Sequence, residues 1–255
     1  MAQPPVSGRG LLYVNSAIER TDVLDEEKFM DWYDNDHIAE VLETSGVSSA
    51  WRFKDVEFGK VEKPYLAMYP LEDIGFTQTD EFKKIRVHSD KIPGGAAIYD
   101  VANFDVRVYN LIQVFDPTKK GKGHTKTIIS AQIEPGPEVS DEEFDRWYRE
   151  EHLEELCKGK GFLRTTRYKL AYARSNAQSR VLKGLATSSE PPPQPPTWLA
   201  IHEFDTEDVS VENLMDIADS PWTRKVLSGC KAIEAPIFKI VKAFGEADFF
   251  HGVEV

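Results

Sequence analysis

The chain has 255 residues, of which 41% are hydrophobic and 29% are charged, a composition typical of a soluble globular protein with one or two domains. Its formal net charge of −12 at pH 7 disfavours binding to nucleic acid and to anionic lipid surfaces, because both need clustered basic side chains. No apolar run approaches the roughly 20 residues that span a bilayer, and the N-terminus lacks the apolar core of a secretory signal. We therefore expect a cytoplasmic protein that binds a small molecule, with neither a nucleic acid nor a membrane as partner.

A tandem repeat organises the chain. Residues 12–54 align without a gap with residues 127–169, and each copy runs from a β-like segment through an acidic helix start to a shared helix motif. The motif is F-x-x-W-Y-x-x-x-H, and it begins at Phe29 in the first copy and at Phe144 in the second. The repeat predicts that one structural unit was duplicated.

The first predicted unit covers residues 11–115 and reads as strand, helix, strand, strand, helix, strand. Leu11 opens a strand that alternates apolar with small or polar residues, and Asp25 opens an amphipathic helix with an acidic first turn. The six elements are predicted at residues 11–19, from residue 25 to the turn at Gly46, and at residues 49–54, 65–69, 79–87 and 101–115.

A linker at residues 116–126 leads to the second predicted unit, residues 127–245. An insertion at residues 174–196, rich in Ser and Pro, separates the second and third strands of this unit. We expect the insertion to be an exposed loop that covers a pocket of the second unit. The elements of this unit are predicted at residues 127–134, from residue 140 to the turn at Gly161, and at residues 165–172, 198–204, 211–227 and 236–244.

The order β-α-β-β-α-β in each half predicts an α+β fold class with two ferredoxin-like units. Both faces of the strands carry apolar residues, so the face that the helices leave open also needs cover. Pairing of the two antiparallel sheets would bury those faces and form an intrachain α+β barrel, which is a pseudo-dimer within one chain. Further association into a homodimer stays open.

The helix motif, which follows a strand and an acidic cap in both halves, resembles the EthD-like branch of the dimeric α+β barrel superfamily. The resemblance covers residues 11–245 and implies ferredoxin-like units that pair through their sheets, with a small-molecule pocket between sheet and helices. It also implies a range of activities, including cofactor-free monooxygenases, polyketide cyclases, lactone isomerases and dehydratase-like proteins of pigment pathways. In this resemblance the motif histidine is the acid/base candidate, which points to His37 and His152.

One helix face in each half offers a proton-transfer unit. His37 lies one turn after Tyr33 and three residues before Glu40, so the three side chains can share a face. The carboxylate would orient the imidazole and hold its charged form, with the phenol alongside. The alternative is a structural histidine that hydrogen-bonds to the backbone or to its acidic neighbour. The same positions recur in the second half as Tyr148, His152 and Glu155.

Aromatic and basic side chains beside the motif are candidates for substrate binding. Trp32 and Trp147 precede the motif tyrosines, although a bulky aromatic side chain at this place is more often part of the core. Arg52 and Arg167 lie in the second strand of each half, where a guanidinium could bind a carboxylate or a phenolate. The alternative for the arginines is an internal ion pair on the neighbouring strand. The acidic partners would be Glu19 and Glu134.

The two halves differ on the third strand. Tyr69 of the first half is replaced by His202 in the second, and His202 precedes Glu203, so this pair adds a second candidate base. His88 follows the second helix of the first half and is a comparable candidate for substrate binding. We therefore expect the second half to be the more specialised one.

Signatures of other chemistries are missing from the sequence. Cys157 and Cys230 have no metal-ligand spacing and are expected to be reduced thiols. There is no nucleophile elbow, no phosphate-binding glycine loop and no HExxH motif. We therefore predict no metal site and no cofactor.

The residues and the resemblance together predict a small-molecule enzyme of secondary metabolism or aromatic catabolism. His37 or His152 would abstract a proton next to a carbonyl of a polyketide-like or phenolic substrate. Cyclisation, dehydration, isomerisation or decarboxylation would follow from the enolate. Two alternatives remain: a cofactor-independent monooxygenase, in which the carbanion reacts with oxygen, and a non-catalytic small-molecule binding protein.

Overall fold

The computed structural model describes residues 5–255. These residues form two compact units, each assembled from three segments of the chain. The sequence predicted two contiguous halves instead, at residues 11–115 and 127–245, so most of the insertion lies with the first unit rather than the second. The first unit comprises residues 5–110, 171–194 and 241–249, and the second comprises residues 111–170, 195–240 and 250–255.

Within the described residues, the predicted strands and helices occur in the predicted order, and two further elements were not predicted: a helix at Asn176–Leu182 in the insertion and a strand at Cys230–Glu234. The strands are β1 (Gly10–Ile18), β2 (Ser49–Asp55), β3 (Tyr65–Leu71), β4 (Ala102–Phe115), β5 (Thr127–Pro135), β6 (Phe162–Arg174), β7 (Trp198–Phe204), β8 (Cys230–Glu234) and β9 (Ile237–Gly245). The α-helices are α1 (Glu26–Trp32), α2 (Ile38–Leu42), α3 (Asp80–Lys84), α4 (Asp141–Trp147), α5 (Leu153–Leu156), α6 (Asn176–Leu182), α7 (Val211–Ile217) and α8 (Pro221–Ser228). Two π-helical turns, Tyr33–His37 and Tyr148–His152, join α1 to α2 and α4 to α5.

The sheet of the first unit has the strand order β4-β1-β3-β2, and its three neighbouring pairs are antiparallel. Val14 of β1 lies opposite Ala67 of β3 and Val106 of β4, so an apolar row crosses the sheet. With one helical segment after β1 and another after β3, the unit has the ferredoxin-like arrangement.

The sheet of the second unit repeats this order. Strand β7 lies between β6 and β5, and the other edge of β5 is shared by β9 and β8. Strand β9 pairs with residues 127–129 of β5, and β8 pairs with residues 132–135. The α+β fold class predicted from the sequence is therefore confirmed in both units.

Capping residues set the starts of the motif helices. Asp25 accepts a hydrogen bond from the Lys28 amide at 2.9 Å before α1, and Ser140 accepts one from the Glu143 amide at 3.2 Å before α4. These side chains satisfy backbone donors that the first helical turn leaves unpaired. Both predicted helix starts are confirmed.

The second helical segment of each half differs from the sequence prediction. Helix α3 ends at Lys84 rather than at residue 87, and carbonyl oxygens at its end accept hydrogen bonds from Lys183 of the insertion. The single helix predicted at residues 211–227 is two helices. Ser220 accepts a hydrogen bond from the Thr223 amide at 2.9 Å and caps α8, while Pro221 has no amide hydrogen with which to continue α7.

Each unit has its own apolar core between its sheet and its helices. The ring centroids of Phe29 and Tyr65 lie 5.4 Å apart in the first core, and those of Phe144 and Trp198 lie 5.1 Å apart in the second. The motif phenylalanine thus anchors the helix to the sheet in both units. Within residues 5–255, no helix has the length and apolar character needed to cross a bilayer.

Candidate functional site

A π-helical turn carries the tyrosine and the histidine of the motif in each unit. The amide of Ile38 donates to the carbonyl of Tyr33, and the amide of Leu153 donates to the carbonyl of Tyr148, five residues earlier in both cases. Residues four apart drift by about 40° per step on a regular α-helix, and the wider π turn takes up this drift. The turn therefore keeps each tyrosine and histidine on the same side of its helix.

The second unit encloses a cavity of about 190 Å³, called here the second pocket. Its walls are mainly apolar and include Leu156 and Leu214 on the helical side. None of the described residues that line it carries a charged side chain. A cavity of this size has room for a small organic molecule. The polar side chains that line it are Tyr148, His152 and His202.

His152 is 5% exposed and stacks on the indole of Trp147, with ring centroids 4.1 Å apart. The ring of Tyr148 meets the same imidazole edge-on at 5.0 Å. The Nδ1 atom of His152 is buried, and no atom of residues 5–255 hydrogen-bonds to it. Burial holds the pKa of His152 well below its usual value, so the imidazole is neutral at pH 7.

His202 reaches the second pocket from β7. Its Nδ1 lies 2.8 Å from Oγ1 of Thr165, which faces it across the pairing of β6 with β7. Burial lowers the pKa of His202 to about 3, with a smaller contribution from the charge of Arg167. The second pocket therefore presents two imidazoles in their neutral forms.

Arg167 contacts the motif tyrosine but does not line the second pocket. Its guanidinium carbon lies 4.1 Å from the ring centroid of Tyr148, and Nη1 donates to Asp145 at 2.9 Å and to Gln113 at 2.6 Å. The expected partner Glu134 instead accepts a hydrogen bond from a backbone amide at 2.7 Å. Burial raises the pKa of Tyr148 to about 12, while Arg167 acts in the opposite direction. The phenol therefore stays protonated at pH 7.

The first unit encloses a smaller cavity of about 70 Å³, called here the first pocket. His37 lines it and stacks on Trp32, with ring centroids 5.0 Å apart, while Tyr33 approaches edge-on at 5.5 Å. Burial, together with the charge of Lys183, lowers the pKa of His37 to about 4. Tyr69 also lines this pocket, where burial holds its pKa well above the usual value. The first pocket thus repeats the histidine, tyrosine and tryptophan of the second.

The insertion forms part of the first pocket. Helix α6 begins at a capping box of Ser175 and Gln178, and it brings Ser179, Leu182 and Lys183 into the pocket wall. The Nζ atom of Lys183 donates to three backbone carbonyls at the end of α3, at 2.8, 2.9 and 3.1 Å. The sequence prediction of a loop over the second pocket is therefore wrong, because the insertion carries a helix that lies against the first.

In the described part of the chain, neither motif carboxylate hydrogen-bonds to its histidine. Glu40 accepts hydrogen bonds from the backbone amide and the Nε of Arg86, both at 3.1 Å. Glu155 pairs with Nζ of Lys158 at 2.5 Å. Both carboxylates take a cationic partner, which gives a stronger hydrogen bond than a neutral imidazole. The predicted orienting role of Glu40 and Glu155 is not what the structure shows.

The ion pair of Arg52 also differs from the sequence prediction. Its Nη2 donates to Asp34 at 3.0 Å, whereas Glu19 accepts a hydrogen bond from Asn103 at 2.7 Å. Strand β3 separates β1 from β2, so the end of β1 does not adjoin the strand that carries Arg52. Arg52 does not line the first pocket.

Two further candidates lie outside both pockets. His88 is exposed, and its Nδ1 lies 3.1 Å from the carbonyl oxygen of Gly95. Glu203 follows His202 on β7 and therefore points to the opposite face of the sheet. There its carboxylate pairs with buried Arg164 at 2.8 Å and accepts a hydrogen bond from Thr125 at 2.6 Å. Neither His88 nor Glu203 is placed to act as a base on a ligand in these pockets.

Sequence reasoning missed Arg174 and Lys183 in the first pocket and Thr165, which contacts His202 of the second pocket. Thr165 had a usable signal, because the predicted pairing of the second and third strands brings it opposite His202. Arg174 and Lys183 had none, since they reach the first pocket from a distant segment. Among residues 5–255, no group of three or more His, Cys, Asp or Glu side chains could hold a metal ion.

Solved structures share the fold over almost the whole chain. An anthrone oxidase-like protein superimposes with a TM-score of 0.54 at 10% identity, over 94% of each chain. Chlorite dismutase from Candidatus Nitrospira defluvii superimposes with a TM-score of 0.53 at 11% identity, over 92% of each chain. At these identities the likeness shows the fold alone, which is of the α+β barrel class predicted from the sequence.

One relative is detected by sequence. Core atranone cluster protein 1 of Stachybotrys chlorohalonatus is 24% identical over 184 residues, which are 71% of this chain and 75% of that protein. Because this length exceeds either compact unit, the similarity includes parts of both. No family model matches the chain.

Proposed function

We propose that this chain is an enzyme of secondary metabolism or aromatic catabolism that acts, without a cofactor, on a polyketide-like or phenolic molecule in the second pocket. The observation that carries the proposal is the pair of neutral imidazoles, His152 and His202, beside the protonated phenol of Tyr148 in an apolar cavity. Such convergence of a few polar groups with perturbed pKa values is typical of sites for acid/base chemistry. The similarity to the core atranone cluster protein supports a role in secondary metabolism.

His152 would act as the base that removes a proton from a carbon next to a carbonyl. Its neutral form is available at pH 7, and the apolar walls strengthen the attraction between the forming imidazolium and the enolate. Tyr148 would donate a hydrogen bond to the enolate oxygen, and so would His202 when its Nδ1 accepts the Thr165 proton. The proton then returns from His152 to another atom of the substrate, which regenerates the base.

The lowered pKa of His152 restricts the substrates that this scheme can serve. A base whose pKa lies well below the working pH removes protons efficiently only from acidic carbon atoms. Carbon atoms between two carbonyl groups are acidic in this sense, and polyketide-like molecules contain them. The pocket therefore suits such a substrate better than a simple ketone.

Oxygen chemistry is the second candidate function. The apolar walls of the second pocket would admit molecular oxygen, and the carbanion that His152 forms could react with it. The chain would then be a cofactor-independent monooxygenase. Oxygen consumption that matches product formation would establish monooxygenase activity. Turnover without oxygen uptake would show that the enzyme catalyses proton transfer only.

Metabolite profiling of the native host tests the proposal. A strain that lacks this chain is complemented with wild type, His152→Gln or His202→Gln, and His37→Gln in the first pocket is the matched control. Glutamine keeps hydrogen-bonding groups but cannot accept the proton. We expect wild type and His37→Gln to restore the product and His152→Gln to fail at an unchanged protein level.

Other outcomes of this experiment would redirect the proposal. Loss of product with His37→Gln alone would move the catalytic base to the first pocket. Full restoration by both His152→Gln and His202→Gln would reject proton transfer by either imidazole. The chain would then be better described as a small-molecule binding protein.

We also propose that the chain belongs to the EthD-like branch and arose by tandem duplication. The same motif occupies an α-helix, a π turn and a further α-helix in both units, which supports a common origin. Association into a homodimer and a cytoplasmic location stay predictions. Light scattering of the purified chain and microscopy of a tagged chain would test them.

A further inference from the structure

The first pocket contains a buried cation that has no acidic partner. Arg174, the last residue of β6, is 5% exposed and lines the pocket. Its guanidinium carbon lies 5.7 Å from the ring centroid of Phe82 and 5.5 Å from that of Tyr172. It forms no ion pair and no hydrogen bond with any residue from 5 to 255, and its Nε is buried.

An unpaired buried guanidinium is unfavourable for the folded chain. Arginine cannot lose its proton in a protein, so burial does not neutralise it. Contact with two aromatic rings offsets part of the lost hydration, but it leaves the buried Nε–H of Arg174 without an acceptor. Proteins tolerate an unpaired buried charge mainly at functional sites, where a bound ligand can supply the missing partner.

A second cation adds to the positive charge of the first pocket. Lys183 lines it, and burial together with the charge of Arg174 lowers the pKa of Lys183 to about 8, so the ammonium still carries its charge at pH 7. Arg86 also lines the pocket but is paired with Glu40 at 3.1 Å. Among the described residues that line this pocket there is no carboxylate to balance Arg174 and Lys183.

We propose that the first pocket binds a small organic carboxylate through Arg174. The planar fork of a guanidinium matches the two oxygens of a carboxylate. The hydrocarbon part of the ligand would lie against apolar lining residues such as Trp32, Ile98 and Phe104. A volume of about 70 Å³ suits a short acid of a few heavy atoms, because a cavity that binds benzene measures about 150 Å³. A phosphate ester would bring more charge and need more donors than this pocket offers.

The two pockets then take ligands of different charge. No described residue that lines the second pocket carries a charged side chain, so a carboxylate would lose its hydration there without compensation. The carboxylate site is therefore separate from the proposed catalytic pocket. Its test measures binding without turnover, so this inference and the proposed function can fail independently.

Fluorine NMR with two matched probes tests the inference on the full-length chain. The probes are trifluoroacetate and its neutral analogue trifluoroacetamide, titrated into wild type, Arg174→Gln and Arg180→Gln. Arg180 lies on α6, is paired with Asp100 and does not line the pocket, so it is the matched control. We expect wild type and Arg180→Gln to bind the acid about tenfold more tightly than the amide, which corresponds to one guanidinium contact. Arg174→Gln should lose this preference.

Three results of the titration would overturn the inference. They are equal binding of acid and amide by wild type, no binding of the acid at millimolar concentration, and an unchanged preference in Arg174→Gln. The comparison of acid with amide on wild type needs no variant, so it stays decisive even if a substitution impairs folding.

Thermal unfolding of Arg174→Met without ligand gives an independent readout. Methionine keeps the apolar stem against Phe82 and Tyr172 but removes the unpaired charge. We expect the melting temperature to rise while binding of trifluoroacetate is lost. A lower melting temperature would mark Arg174 as a structural residue and would contradict a binding role.

Discussion

The indole Nε1 of Trp147 donates a hydrogen bond to Oγ1 of Thr223 at 3.1 Å, and this bond fixes the surface on which His152 rests. No residue of the described chain hydrogen-bonds to Nδ1 of His152, so stacking rather than hydrogen bonding at that atom sets the tilt of its ring. Helix α8, which carries Thr223, thus positions His152 indirectly, through the indole of Trp147.

Replacing Thr223 with valine should destabilise the chain and disturb the proposed active site. The substitution keeps the side-chain volume but leaves the buried indole N–H of Trp147 without an acceptor, at a cost of roughly 1–3 kcal/mol. Urea denaturation would measure the change in the free energy of unfolding. Thr223→Ser keeps the acceptor and is the control, so equal losses in the two variants would argue against the hydrogen bond as the cause.

The stability of the chain should fall as the pH drops below about 6.5, the usual pKa of histidine. Burial lowers the pKa of His202 to about 3 in the folded chain, so between these values the unfolded state binds more protons. Each pH unit in this window should cost on the order of 1 kcal/mol for this histidine. Its stabilising contribution is complete above the unfolded pKa and decreases on acidification.

His202→Gln separates this contribution from those of other groups. Urea denaturation of wild type and variant at about pH 7 and about pH 5 gives the difference in pH dependence, because carboxylates and the other histidines titrate in both proteins. The variant should lose less stability than wild type over this interval. Equal losses would mean that His202 is accessible to water and titrates normally in the folded chain.

Replacing Asp145 with asparagine should weaken the second unit. Arg167 is 1% exposed and would lose its acidic partner, which leaves it only neutral acceptors, the new amide oxygen and Gln113. We expect a loss of roughly 2–3 kcal/mol, less than for a fully buried pair, because Asp145 is partly exposed. Arg149→Gln removes the exposed partner of Asp145 and an exposed hydrogen bond to the carbonyl of Ile112, and it should cost under about 1 kcal/mol in the same denaturation experiment. Comparable losses in both variants would contradict a special role for Arg167.

Shortening the insertion should affect the first pocket and spare the second. A short Gly-Ser linker in place of residues 175–194 would remove Lys183 and its three hydrogen bonds to the end of α3. Hydrogen exchange should then rise in residues 79–87, since α3 would lose the partner of its last carbonyl groups. Peptides that cover residues 148–156 provide the control, and a rise there instead would place the insertion at the second pocket.

The helix face of the motif could be predicted from the sequence, but its conformation could not. Phe29, Tyr33, His37 and Val41 recur every four residues. Three of them are buried and His37 is half-buried, as the amphipathic pattern indicates. The π turn depends on a hydrogen bond from Ile38 to the carbonyl of Tyr33, which leaves no distinct pattern in residue types. The change of geometry is therefore visible only in the structure.

The acidic partners of the strand arginines show why residue pairing is harder to predict than residue placement. Arg52 pairs with Asp34, whereas Arg167 pairs with Asp145, which aligns one helical turn earlier in the repeat. The gapless alignment of the repeat suggested partners at equivalent positions, which were Glu19 and Glu134. In each unit the buried strand arginine pairs with an aspartate of the motif helix, but the two aspartates lie on different turns of that helix.

Pocket residues that come from distant segments of the chain could not be predicted from the sequence. Residues 11–115 alone contain the site candidates His37, Tyr33 and Tyr69, and all three line the first pocket. Arg174 and Lys183 change the charge of that pocket, yet they belong to a segment that the repeat assigns to the other half. The repeat in the sequence therefore predicts the residues that the two pockets share, but it does not predict the positive charge that distinguishes the first pocket.

Because the first unit consists of three separate segments of the chain, it cannot be complete until translation reaches the last of them. When a ribosome has released residues 5–110, it has not yet made residues 171–194 or residues 241–249, which belong to the same compact unit. Phe82 and Ile85 would wait for the cover that the insertion provides, and exposed apolar side chains of this kind attract chaperones or other chains. A premature stop codon late in the gene would thus damage the earliest part of the protein as well as the latest.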